Sequence, residues 1–425
     1  MAASDSTASG LRAVLIATAI AGALGYAVQL LAPALLTDES VYVAFSVFWS
    51  TIYLGVSAMS GVQQEVTRAA HPATNEPPSA VLRTFALAAA GLVVLASALV
   101  ALLFGTRILP GPVVVTGAVL AIGLVGYLAV AVLSGVLYGL RFWRDIAGIM
   151  VLDAAIRAVL LIAGFTVGLP IEWLALLVAL PFGLAFGATW LVVRRRVVGR
   201  FRLDVPLRRF AAHAWGTVGA AAASGVLITG LPMLIGITAA GTPPETLGAL
   251  LLTITLTRAP IVIPIIALQS FLISAVFRGG RVRPGRLLQV LALLLAAVAV
   301  LAVIAGFIGP PIVSWVSAGR FTIDGWMVGV IVLSAGLVGA MSVTSPALIS
   351  ARRHTANFVG WLVAAVLTVG GLIIPIAGPS RIAIALTVPA IVGLVIHVVS
   401  LTRPGIQHDV HGGGSPDSVG PGGLG

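Results

Sequence analysis

The chain reads as an all-α membrane protein of about twelve transmembrane helices, arranged as two six-helix lobes related by a pseudo-two-fold axis along the membrane normal. Three observations predict this. Apolar runs of about 20 residues, the length a helix needs to cross a bilayer, recur along the whole chain. Arginine falls almost entirely on alternate connections between those runs. A sequence repeat at half the chain length relates the two halves.

Composition sets the class. The 425 residues are 59% hydrophobic and only 9% charged, whereas a soluble domain carries roughly a quarter charged residues. The mean hydropathy is +1.13. There is no cysteine, which excludes disulfides, thiolate metal sites and cysteine nucleophiles. All 24 basic residues are arginine, which excludes a P-loop lysine and a Schiff-base lysine. An arginine-only, Ala- and Gly-rich chain fits a GC-rich bacterial genome, and hence a bacterial cytoplasmic membrane.

Spans are expected at 12–36, 41–61, 84–104, 113–137, 146–168, 172–193, 217–240, 247–275, 287–308, 326–350, 358–377 and 382–402. The run after Arg12 is too long for a signal-peptide core and reads as a retained first helix. Residues 1–10 form a polar tail, 11–193 the first lobe, 194–216 a basic linker, 217–402 the second lobe and 403–425 a Gly- and Pro-rich tail expected to be disordered. Even connections and the termini hold 19 arginines, odd connections hold Arg107, Arg320 and Arg381, and Arg157 and Arg258 lie at membrane depth. By the positive-inside rule both termini are cytoplasmic. The net charge of +11 is thereby explained by topology and anionic inner-leaflet lipid, and no nucleic-acid partner is expected. The odd connections also carry Asp38, Glu39, Glu172, Glu245 and Asp324.

The repeat pairs "FGTRILPGPVVVTGAVLAIGLVG" with "SAGRFTIDGWMVGVIVLSAGLVG". Arg107 to Arg320 and Gly123 to Gly336 are both offsets of 213 residues, and both copies run on to arginine pairs, Arg141/Arg144 and Arg352/Arg353. An even number of spans per copy makes the repeats parallel, which suits a central site between lobes and alternating access.

Polar residues at membrane depth are the candidate site. "VLDAAIRAVL" sets Asp153 and Arg157 four residues apart on one face of the fifth span. They read either as a self-neutralising pair against a neighbouring helix, or as a cavity pair in which Arg157 binds an anion and Asp153 tunes it or carries a proton. Arg258 in "TLTRAPIVIP" has no acid within a turn and precedes Pro260 and Pro264. It reads as a cavity residue, with Asp153 as the alternative long-range partner. Gln29, Gln63, Gln64 and Gln269 suit sugar hydroxyls or interhelical hydrogen bonds equally. Pro33, Pro181 and Pro232 are expected at bends. Trp173, Trp326 and Trp361 are expected at interfaces, and His397 reads as a packed imidazole. No zinc-protease helix, nucleophile elbow or carboxylate pair occurs, and the longest odd connection spans about 17 residues between the ninth and tenth spans. An enzyme is not expected, nor a cofactor or bound metal.

"VYVAFSVFWSTIYLGVSAMSGVQQEVTRA", "TLTRAPIVIPIIALQSFLI" and "WVSAGRFTIDGWMVGVIVLSAGLVGAMSVTSPALISARRH", with the two six-helix halves, resemble the oligosaccharide-flippase branch of the multidrug/oligosaccharidyl-lipid/polysaccharide exporter superfamily. The similarity runs over nearly the whole chain. It implies movement of a polyprenyl-pyrophosphate-linked glycan from inner to outer leaflet through a cationic cavity between the lobes, with Arg258 at a cavity position. Such a protein would meet membrane lipids and a lipid-linked anionic glycan, take H+ or Na+ as coupling ion, act as a monomer, and associate with glycan-assembly enzymes. A wet cationic path suits a diphosphate, and arginine matches phosphate geometry. Two deep arginines against one deep acid disfavour a multidrug or cation antiporter of the same fold. A major-facilitator transporter would show a Gly/Asp/Arg-rich motif after its second span, where this chain has "QQEVTRAAHPATNEPPSAVLR". A non-transporting scaffold for a glycan-assembly complex would tolerate loss of Arg157 and Arg258.

Overall fold

The structure is a computed structural model. It describes residues 2–74, 79–203, 205–239, 241–278, 281–282, 284–374 and 379–402, with side chains except at 2–8, 11, 259, 262–278, 281–282, 284 and 379. The first lobe comprises α1 (Ala2–Leu35), α2 (Glu39–Ala69), α3 (Ala80–Ile108), α4 (Val113–Gly139), α5 (Trp143–Val167) and α6 (Ile171–Val197). The second comprises α7 (Leu207–Ile228), α8 (Leu231–Thr238), α9 (Pro244–Val276), α10 (Pro284–Val316), α11 (Gly325–Ser350), α12 (His354–Ile373) and α13 (Pro379–Thr402). Among the described residues, eleven helices are long and apolar enough to cross a membrane. The 33-residue α9 is long enough to be the twelfth. Two antiparallel ribbons lie on the arginine-rich face. One pairs β1 (Ala70–Pro72) with β2 (Phe201–Leu203), and the other pairs β3 (Phe277–Arg278) with β4 (Arg281–Val282).

Local chemistry sets the helix ends. The Asp38 carboxylate accepts from the Ser40 amide at 2.8 Å and caps α2. The Ser79 hydroxyl accepts from the Leu82 amide at 3.2 Å and caps α3. Gly168, at φ 70°, takes the left-handed position that closes α5.

The repeat is visible in the packing. In the first lobe α4 lies against α2, α3 and α6, and α5 pairs with α1 and α6. In the second lobe α11 lies against α9, α10 and α13, and α12 pairs with α7 and α13. The turns agree as well. Arg141 after α4 and Arg352 after α11 both sit in the left-handed region, at φ 59° and 58°. Non-glycine residues rarely adopt that conformation. Matching turns at matching positions therefore mark two copies of one unit.

Four expectations are corrected. The seventh span is two helices, with a break at Thr229–Gly230. Gly230 lowers helix stability there, and Pro232 sits in the first turn of the next helix, where its missing N–H is harmless. The ninth span runs through Pro310 and Pro311 to Val316, so the following connection is 317–324 rather than about 17 residues. The basic run from Arg194 to Arg196 continues α6, and the connection between lobes is 198–206. Trp361 is only 4% exposed and donates to Ser345 Oγ at 2.7 Å, so it is a core residue and not an interfacial anchor. Trp173 and Trp326 are exposed. Pro33 and Pro181 lie inside continuous helices. His397 is fully buried, with Nδ1 2.7 Å from the Thr344 hydroxyl.

Candidate functional site

The lobes meet along a seam of α2 against α7 and α8. Small residues let the backbones approach, as is common between membrane helices. At Gly61 a Cβ would strike the backbone of Thr217 and Val218. The Thr217 hydroxyl donates to Gly61 O at 2.8 Å. Mid-seam, Ser50 spans the break between α7 and α8. Its hydroxyl donates to Thr229 O at 2.5 Å and accepts from the Met233 amide at 3.1 Å. Two backbone groups freed by the break are thus satisfied by the other lobe. Ser57 Oγ lies 3.1 Å from Thr229 Oγ1.

The two deep arginines flank this seam. Arg157 on α5 is 4% exposed. Its Nη1 and Nη2 donate to the two carboxylate oxygens of Asp153 at 2.8 and 2.7 Å. Nη1 also donates to the Tyr53 hydroxyl at 3.0 Å, and Nε to Val178 O at 3.2 Å. The Phe182 ring lies 4.2 Å beneath the guanidinium, and Tyr53 stacks on Trp49 at 4.8 Å. This is a bidentate, charge-neutral pair with nearly every donor used. The Asp153 side chain keeps 19% exposure.

Arg258 on α9 is 7% exposed. It donates through Nη1 to Leu227 O in the last turn of α7, and its buried Nε has no partner. Among the described residues it has no acidic partner, since Asp153 is held by Arg157. Leu227 and Thr229 flank the helix break, and Tyr53 O lies 3.4 Å from Thr229 Oγ1. Tyr53 therefore touches Arg157 through its hydroxyl and the α7 break through its carbonyl. Both arginines thus reach the α2–α7 seam, Arg157 through the Tyr53 hydroxyl and Arg258 through Leu227 O.

The glutamines are scattered. Gln29 is buried on α1, one turn from Tyr26, whose hydroxyl donates to Leu256 O on α9 at 3.1 Å. Gln64 is exposed at the arginine-rich end of α2. The side chain of Gln269 lies outside the described residues. Sequence reading missed Ser50, Tyr53 and Ser57. Their signal was present, because with Gly61 they form a polar, small stripe at helical spacing along an otherwise apolar span.

Both faces carry ties between lobes. On the arginine-rich face the buried Glu65 binds Arg68 at 2.8 and 2.5 Å, and His213 of α7 lies 2.9 Å from Arg68 and 3.5 Å from Glu65. On the opposite face Arg107 donates to Ile237 O of α8 at 3.1 Å. Arg320 donates to Pro33 O, Leu36 O and, at 3.3 Å, Ala34 O of α1. These arginines are the repeat-related pair. Each lobe thus reaches across to cap the C-terminal carbonyls of the other lobe's first span, where cations are favoured.

A cleft of about 1310 Å³ lies between α2, α3 and α4 on one side and α7, α8 and α12 on the other. Neither deep arginine lines it.

No family model matches the chain. It is 31% identical over 398 residues to Uncharacterized protein Mb3654 of Mycobacterium bovis (strain ATCC BAA-935 / AF2122/97), an alignment covering 91% of this chain and 90% of that protein. The chain belongs to the same family as this mycobacterial protein. Uncharacterized protein Rv1510 of Mycobacterium tuberculosis (strain ATCC 25618 / H37Rv) is a further relative, 29% identical over 404 residues and covering the same shares. The fold is shared with solved transporters. The lipid II flippase MurJ in an inward closed conformation superposes with a TM-score of 0.66 at 13% identity, over 92% of this chain and 87% of that one. An inward-facing MATE family multidrug resistance transporter of the MOP superfamily gives 0.60 at 14% identity, over 91% and 98%. The chain thus has a multi-pass membrane fold of the kind these transporters share, and these structural neighbours are transporters rather than enzymes.

Proposed function

We propose that the protein is an alternating-access flippase for a polyprenyl-pyrophosphate-linked oligosaccharide, a precursor of cell-surface polysaccharide. The arginine-rich face and both termini lie in the cytoplasm, and the substrate moves from the inner to the outer leaflet. The observation that carries the reading is Arg258, which has no acidic partner among the described residues. It is a buried cation with a free donor, beside a helix break at the lobe interface, in a fold shared with a lipid II flippase. A charge at membrane depth is costly and marks a transport path. The sign of that charge selects an anionic substrate. The likeness to a multidrug transporter favours cation export as a second reading, but the deep inventory of Arg157, Asp153 and Arg258 opposes it.

In this mechanism the Arg107 and Arg320 ties hold the outer face shut while substrate enters from the cytoplasmic side. Release of those ties, with rocking about the α2–α7 seam, exposes the site outward. H+ or Na+ is the proposed coupling ion, and glycan-assembly enzymes are the proposed partners of a monomer. The test measures how much lipid-linked glycan is accessible at the outer leaflet in cells with and without the protein. Loss of outer-leaflet glycan on depletion is expected. An unchanged outer pool, with assembly on the inner leaflet intact, would refute the flippase reading.

A further inference from the structure

The cleft of about 1310 Å³ is larger than the ~300–1,000 Å³ of ordinary small-molecule sites. Its walls are apolar, and none of its lining residues is acidic. Along α3 the lining runs from Phe85 to Ile108. At 1.5 Å per residue that is ~35 Å, the full hydrocarbon thickness of a bilayer. The lining residues Leu92, Trp215, Leu362 and Ile373 are exposed, so the cleft is open at its surface.

Only one end is charged. Arg107 and Arg381 line the cleft at the arginine-poor face. Arg107 spends one Nη on Ile237 O. The Nε of Arg381 is buried without a partner, and the side chain makes no hydrogen bond or ion pair among the described residues. Halfway down, Ser97 is 2% exposed and its hydroxyl is also unpartnered.

We propose that this cleft binds a polyprenyl phosphate lengthwise, with its phosphate on Arg107 and Arg381 and its chain running down the cleft toward Phe85. A phosphate or diphosphate matches two guanidinium groups, and the cleft lining holds no acid to compete with it. Length selects the chain. An ordinary phospholipid tail spans one leaflet, about half the cleft, and would leave the other half empty. A long isoprenoid fills it. The proposal rests on the flippase reading for the identity of the carrier lipid. The site is separate from the deep arginines and holds the carrier once its head has passed them, with the head in the outer leaflet under the proposed orientation.

Binding is measured without transport, so the two readings fail separately. The purified full chain is titrated in detergent with a polyprenyl phosphate, the matching polyprenol and phosphatidylglycerol, and bound lipid is counted by native mass spectrometry. Polyprenyl phosphate is expected to bind best, with the polyprenol weaker by about tenfold or more for loss of the charged head. Arg381→Gln should remove most of that difference. Ala96→Phe, which fills the cleft from an exposed position, should weaken both isoprenoids while leaving helix content unchanged by circular dichroism. Equal binding of phosphatidylglycerol would make the occupant a boundary phospholipid and overturn the proposal. Unchanged binding in Ala96→Phe would place the lipid elsewhere and overturn it too. Intact binding alongside an unchanged outer-leaflet glycan pool would refute the flippase reading alone.

Discussion

Arg320→Gln is predicted to open the arginine-poor face. Arg320 reaches three carbonyls at the end of α1, from Pro33, Ala34 and Leu36, and holds its own loop through Ser317 O at 3.1 Å. A hydrogen bond from a charged donor contributes ~1.5–3 kcal/mol when buried. This group is half-buried, so solvent screening reduces each bond, and the set together stabilises closure by about 2–3 kcal/mol. Its loss shifts the closed-to-open ratio by ~30- to 150-fold. Arg107 makes one such bond, from an exposed position, and its loss shifts the ratio by about fivefold or less. The absence of native cysteine makes the measurement clean. Spin labels at Ser40→Cys and Thr322→Cys, both exposed and on opposite lobes, report the gap by pulsed electron resonance. A longer distance should appear in Arg320→Gln and far less of it in Arg107→Gln. An unchanged distribution in Arg320→Gln, or a larger response to Arg107→Gln, would refute the reasoning.

Two further outcomes concern the seam and the ion pair. Arg157→Ala strands the Asp153 carboxylate in the bundle and should destabilise the protein by about 3–5 kcal/mol, while Arg157→Met with Asp153→Leu should recover most of that. Thermal unfolding in detergent distinguishes the two. Ser50→Ala leaves Thr229 O and the Met233 amide without their partner at the helix break and should cost about 1–3 kcal/mol, read as a lowered melting temperature.

The crossing number, the alternation of arginine and the repeat were all legible, because hydropathy, topology and half-length offsets depend on composition along the chain. The partners were not. Nothing in the spacing of Arg107 and Arg320 says that each reaches the opposite lobe, since that depends on how two bundles dock. The division of the seventh span was half visible. Gly230 and Pro232 announce a break, yet only the Ser50 contact explains why it is tolerated at membrane depth. Asp153 and Arg157 were rightly placed on one face, and the choice between an inward pair and an open anion site turned on Tyr53, Phe182 and Val178, which come from two other helices.

The two deep arginines cannot play the same part. Arg157 makes four hydrogen bonds and covers an aromatic ring. A phosphate would have to displace a carboxylate already held bidentately, with little net gain. Among the described residues Arg258 holds one carbonyl and keeps a buried Nε without a partner. That carbonyl sits beside a helix break, where local rearrangement is easiest, so under the proposed function Arg258 is the cation that exchanges its partner for substrate. The prediction separates the two. Neutralising the pair together, as Asp153→Asn with Arg157→Gln, should leave substantial export. Arg258→Gln should abolish export while the protein still reaches the membrane, and Arg258→Lys should restore part of it by returning the charge without the planar fork. Outer-leaflet glycan in complemented cells, normalised to membrane-inserted protein, gives the readout. Wild-type export by Arg258→Gln would show that the free cation at the break does not meet the substrate.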